Sequence, residues 1–89
     1  MKLLMNFEIT KGYEHWKSVF NGSQDKRQEA GIKTVFFGAE KNNPKKVHIC
    51  LEVESLEKVQ EFMHDPDVAA EIKSSGHNVE STVRIPLVD

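Results

Sequence analysis

The sequence predicts an α+β fold of the split β-α-β, ferredoxin-like kind, βαββαβ, with a four-stranded antiparallel sheet and its helices on one face. Three observations carry this. Four stretches alternate apolar and polar residues with a period of two, as strands do. Between them lie two segments whose apolar residues recur every three to four positions, as on a helix. A turn-rich stretch, "KNNPK" at 41–45, joins the middle two strands as a hairpin. The resulting order places the first and third strands at the centre of the sheet.

The first strand covers residues 2–9, with Leu3, Met5, Phe7 and Ile9 on one side. In "TKGYEHWKSVFNG" the period changes, and Tyr13, Trp16, Val19 and Phe20 form one helical face. Thr10 precedes this helix, and Asn21–Gly22 stops it because both residues tolerate a left-handed backbone. "SQDKRQEAG" reads as a short, exposed second helix capped by Ser23 and closed by Gly31. The second strand, 32–40, directs Val35 and Phe37 one way and Thr34, Phe36 and Gly38 the other. The third, 46–54, splits "KVHICLEVES" into Val47, Ile49, Leu51 and Val53 against His48, Cys50, Glu52 and Glu54. Ser55 caps a helix bearing Leu56, Val59, Phe62 and Met63. Asp65–Pro66 ends it and starts another short helix, since proline suits a first helical turn. The last strand is expected over 77–87, with Val79, Val83 and Ile85 on the covered face and Glu80, Thr82 and Arg84 on the open one.

The chain has 89 residues, the length of one domain, spanning 1–89. A domain this small buries a modest share of its surface, which favours association. The net charge of −2 and the lack of a basic stripe exclude nucleic acid as a partner and a polybasic membrane anchor. One cysteine allows no internal disulfide, which points to the reducing cytoplasm. "MKLLMNFEI" is interrupted by Asn6 and Glu8 and lacks a small-residue cleavage site, so it is not read as a signal peptide.

The open sheet face collects Asn6, Phe36, His48, Cys50 and Thr82, a mixture less polar than a freely solvated surface. Two such faces stacked about a twofold axis would give a homodimer with a barrel-like centre. Those five residues are therefore the expected dimer interface.

The stretches "FEITKGYEHW" and "LEVESLEKVQEFMHDPDVAAEIKSSG" resemble the dimeric α/β-barrel superfamily, which includes antibiotic-biosynthesis monooxygenases. "KGYEHWKSVFN", "DKRQEAGIKTVFFG" and "EKVQEFM" resemble, more closely, an uncharacterised family of small proteins found largely in marine cyanobacteria, which implies no function. The superfamily resemblance implies a homodimer and admits cofactor-independent monooxygenases, isomerases and haem-degrading enzymes. The haem-degrading branch uses an Asn, a Trp and a His. Here Met5 stands at the Asn position, Trp16 lies in the first helix, and only His64 remains. No cofactor is expected.

The four histidines show no His-x-His, His-x3-His or Cys-x2-Cys spacing, so no metal site is expected. His15, His48 and His77 are the weak catalytic candidates. His48 could pair with Cys50, or simply hydrogen-bond in the interface. His77 could act as a base at the cleft mouth, or be an exposed strand-initial residue. His15 could line the cleft rim, or be solvated. Tyr13, Trp16, Phe20, Phe37 and Phe62 could frame a pocket for a small apolar ligand, or be plain core. The reading is a homodimer binding a small apolar molecule between helices and sheet. The alternatives are an enzyme using a cleft histidine and a purely structural or interaction dimer.

Overall fold

A computed structural model describes residues 1–88. The elements run β1 (Lys2–Glu8), α1 (Tyr13–Gly22), α2 (Gln24–Glu29), β2 (Lys33–Glu40), β3 (Asn43–Glu52), α3 (Leu56–His64), α4 (Pro66–Ser74) and β4 (Val83–Leu87). The antiparallel sheet has the order β2-β3-β1-β4. This is the expected ferredoxin-like arrangement, with β1 and β3 central.

Burial along β1 alternates as its sequence requires. Leu3, Met5 and Phe7 are buried against the helices, while Leu4 and Asn6 face the open side. β3 supplies Val47, Ile49 and Leu51 to the same core, and Trp16, Ile32, Val53 and Val59 close over them. Helix boundaries follow local chemistry. The Ser55 hydroxyl accepts from Lys58 N at 3.2 Å, capping α3. Asp65 Oδ1 accepts from Asp67 N at 2.9 Å and Val68 N at 3.4 Å, and Pro66 opens α4. Gly76 has φ +84°, and an added Cβ there would lie 2.9 Å from Lys11 N. Its carbonyl accepts from Thr10 N at 2.8 Å and Thr10 Oγ1 at 3.2 Å, which ties the end of α4 to the end of β1.

Several expectations are corrected. In β2 the register slips between Thr34 and Phe36. Thr34 pairs with Leu51 on the covered side, and Val35 becomes the extra residue of a β-bulge, 47% exposed. Phe36 and Phe37 then resume the expected faces opposite Cys50 and Ile49. The last strand is shorter than expected, because Val79–Ser81 form a 3-10 turn that leaves Val79 exposed. That turn reverses the strand's parity. Val83 pairs with Asn6 and Ile85 with Leu4, so both lie on the open face, while Arg84 pairs with Met5. Thr82 leaves the open face as well, since its hydroxyl bonds His77 on the helix side. Glu80 lies in the 3-10 turn and shares no strand face with Arg84. Thr10 precedes α1 as expected, with Gly12 at the N-cap position, and β3 begins at Asn43, so Pro44 lies in the strand beyond the β1 ladder. The short second helix is not merely exposed. Ser23 and Arg27 are buried.

Candidate functional site

The main internal space lies between sheet and helices, with a volume of about 80 Å³. Met5, Phe7, Ile49 and Leu51 form its floor. Trp16, Val19 and Phe20 of α1, Val59, Phe62 and Met63 of α3, and Val68 and Ile72 of α4 form its walls. Ser23, Arg27, Glu71, Ser75 and His77 add polar groups. The volume equals that of roughly three liquid waters. It is smaller than the few hundred Å³ common for ligand pockets. A larger guest must part the helices or extend toward solvent. A wider surface groove of about 760 Å³ runs past Glu29, Glu54, Lys58, Glu61 and Asp65. Its charges are of both signs, and Lys58 is already paired with Glu54, so it has the character of solvated surface.

Trp16 is the hub of the aromatic wall. It stacks on Phe20 with centroids 4.8 Å apart and meets Phe7 and Phe37 at 5.7 Å. Trp16, Phe20 and Phe62 line the cavity. Tyr13 and Phe37 stand behind it as packing, Tyr13 against Trp16 at 5.9 Å and Phe37 against Phe20 at 5.1 Å.

Of the three candidate histidines, one lines the cavity. His77 is half-buried and stacks on Phe7 with centroids 3.7 Å apart and planes at 15°. Its Nε2 lies 2.7 Å from Thr82 Oγ1. Burial, with the Arg84 charge adding to it, pushes its pKa down to about 4, so the ring is neutral at neutral pH. His15 is exposed, with Nε2 2.7 Å from Ser74 O, where it links α1 to the end of α4 outside the cavity. His48 is exposed on the open face and turns to Glu40 Oε2 at 2.7 Å. Cys50, a free thiol on that face, is buried beside Leu4 and Phe36. His64 is exposed. Among the described residues no group of three or more His, Cys, Asp and Glu side chains could hold a metal.

The sequence reading passed over a polar cluster where α2 meets α4. Glu71 accepts from the Ser23 hydroxyl and pairs with Lys26 Nζ at 2.6 Å. Those bonds hold its carboxyl below the usual range. Arg27 is 7% exposed, its guanidinium 3.7 Å from the Phe20 ring centroid, and Nη1 donates to Phe20 O at 2.7 Å. Burial lowers its pKa, with Glu71 opposing. A spacing signal existed. Phe20, Ser23, Arg27 and Ala30 recur at three, four and three, one helical stripe running across the α1–α2 junction.

The element order and sheet topology define a ferredoxin-like α+β protein. A candidate antibiotic biosynthesis monooxygenase from Bacteriodes thetaiotaomicron VPI-5482 superposes with TM-score 0.70 at 13% identity, covering 100% of this chain and 88% of that one. Another from Caulobacter crescentus CB15 gives 0.71 at 10% identity, covering 99% and 89%. A nipsnap family protein of unknown function from Agrobacterium tumefaciens gives 0.68 at 14%, covering 94% and 82%. At these identities the likeness is one of fold. No curated protein sequence matches the chain. Residues 2–86 match the family described as domain of unknown function DUF3764, and the chain belongs to that family.

Proposed function

We propose that the chain is one domain that acts as a homodimer in the cytoplasm and holds a small apolar molecule in the helix–sheet cleft. The observation that supports binding is the cavity wall, predominantly apolar with a few polar side chains among its lining. The support for pairing is the open face. Phe36, Val83, Ile85 and Leu87 are each more than 40% exposed there, next to Asn6, His48 and Cys50. A contiguous apolar patch on a monomer marks an interaction surface. The single cysteine, a free thiol, supports a reducing compartment. No helix among the described residues is long and apolar enough to cross a membrane.

Native and denaturing mass spectrometry of the purified protein tests both parts. A native mass of two chains plus a small molecule that is lost on denaturation is expected. An empty dimer whose Trp16 fluorescence is unmoved by small apolar compounds would leave only the structural reading. A stable monomer would overturn the barrel.

The enzyme reading has one observation of its own. His77, neutral and cavity-lining, is within hydrogen-bond reach of a second polar side chain, Thr82. A neutral imidazole can take up a proton, although a pKa near 4 makes it a weak base. Small molecules recovered from wild type and from His77→Gln separate the readings. A binder carries the same compound in both, whereas an enzyme accumulates unreacted substrate in the variant.

A further inference from the structure

Arg27 is the one cation in a cavity lined mainly by Leu, Ile, Val, Phe, Met and Trp side chains, with Ser23, Glu71, Ser75 and His77 as its other polar groups. Arginine is almost never fully buried unless paired, and it keeps its charge in proteins. Arg27 is 7% exposed, yet no carboxylate lies within ion-pair distance of it among the described residues. Among the described residues its side chain makes one hydrogen bond, to the Phe20 carbonyl, and the Phe20 ring covers one side of the guanidinium. A guanidinium has five N–H donors in a fixed fork suited to a carboxylate. No buried side-chain nitrogen among the described residues lacks a partner, so the N–H groups of this fork that make no protein bond are open to solvent or to a guest, and Glu71 acts on them through its charge alone. Glu71 gives one oxygen to Ser23 and the other to Lys26. Lys26 is exposed and lies in the field of Asp65 and Asp67 as well. Arg27 is therefore the one cation among the residues that line the cavity.

We infer that the cleft takes an amphiphilic organic anion, a small carboxylate whose apolar body lies along Trp16 and Phe20 and whose head is met by Arg27. The inference rests on the cleft-binding reading and adds the chemical class of the guest. Within the lining Arg27 and Glu71 are the charged side chains, and Glu71 is already engaged by Lys26 and Ser23, which leaves the Arg27 fork for the head of such a guest. A neutral apolar guest would leave the Arg27 fork as it is and gain nothing from it. A cationic guest would be repelled by it.

Hexanoate and 1-hexanol make the test, since they share a chain and differ in the head. Trp16 is the only tryptophan and faces the cavity, so its fluorescence reports occupancy directly. Charge-assisted hydrogen bonds predict that hexanoate binds wild type at least about tenfold more tightly than 1-hexanol at neutral pH. Arg27→Gln should weaken hexanoate by about tenfold and change 1-hexanol by less than about twofold, because only the charged contact is removed. Equal affinities in wild type, or tighter 1-hexanol, would overturn the anion assignment and leave the apolar cleft standing. Titrations in which neither compound moves Trp16 fluorescence would overturn the cleft reading itself. The wild-type comparison decides even if Arg27→Gln fails to fold.

Discussion

His77 links the cavity to the stability of the fold, and the link has a sign. In the folded chain its pKa is pushed down to about 4 from the ordinary 6.5. Above pH 6.5 neither folded nor unfolded chain protonates this ring, and its contribution to stability is fully present. As pH falls from 6.5 toward 4, the unfolded chain takes up the proton and the folded chain does not. Stability is therefore lost across that window, and the loss is complete below about 4. At about 1.4 kcal/mol per pKa unit the full shift corresponds to roughly 3 kcal/mol. His77 is only half-buried, so solvent screening brings the expected loss to about 2 kcal/mol. The perturbation is His77→Phe, which keeps a ring against Phe7 and removes the titration. The assay is urea denaturation of both proteins at intervals from pH 4 to pH 8. The quantity read is the difference between their stabilities, because the loss carried by Glu71, whose carboxyl pKa is also lowered, is common to both and cancels. Wild type should lose about 2 kcal/mol more than the variant between pH 7 and pH 4. Parallel curves would refute the argument that His77 is held neutral by its surroundings.

Three further substitutions probe the supports around the cleft. Thr82→Val is nearly isosteric and leaves one His77 ring nitrogen without its partner, so it should cost about 1–2 kcal/mol by chemical denaturation. Asp65→Ala removes the side-chain acceptor for two N–H groups of α4, with an expected loss of about 1 kcal/mol in the same assay. Gly76→Ala should destabilise by more than about 1 kcal/mol, visible as a lowered Tm, because φ is positive and the new methyl meets backbone of Lys11.

The sequence made the central pair of strands legible because both faces of β1 and β3 alternate without interruption, and hydrophobic burial fixes such a register. It made α3 and α4 legible because Ser55 and Asp65–Pro66 act on their own neighbours in the chain. It did not reveal the phase of the outer strands. A period-two pattern carries no record of an inserted residue, so the bulge at Val35 and the turn at Val79–Ser81 each changed the face of what followed, or of what preceded, unseen. The aromatic wall was legible in part, since Trp16 and Phe20 share a helical face. The separation of Tyr13 and Phe37 from the cavity depends on side-chain depth, which spacing does not encode. Arg27 was missed because a charged residue in a polar segment reads as solvent-facing. Its burial comes from the Phe20 ring of α1 stacked on the guanidinium and from the α4 segment that carries Glu71 beside it.

The parity of β4 can be decided by where a lysine is tolerated. Ile85 lies opposite Leu4 on the open face, and Asn6 lies on the same face one pair along. Ile85→Lys and Asn6→Lys therefore place an ammonium in the same setting. If the chain pairs through this face, both disrupt the pairing, and any stability borrowed from association is lost by both. What remains is the fold of a single chain. On an exposed face a lysine changes that by no more than about 0.5 kcal/mol. Had Ile85 faced the helices, as unbroken alternation from His77 would require, the ammonium would be buried without a partner at a cost of several kcal/mol. Ile85→Lys should thus keep the far-ultraviolet circular dichroism and denaturation midpoint of Asn6→Lys at equal concentration. A folded Asn6→Lys beside an unfolded Ile85→Lys would place Ile85 in the core and return Arg84 to the open side. It would also remove the Arg84 charge from the surroundings of His77. The face on which one residue of an outer strand stands therefore governs both the interface and the electrostatics of the cleft.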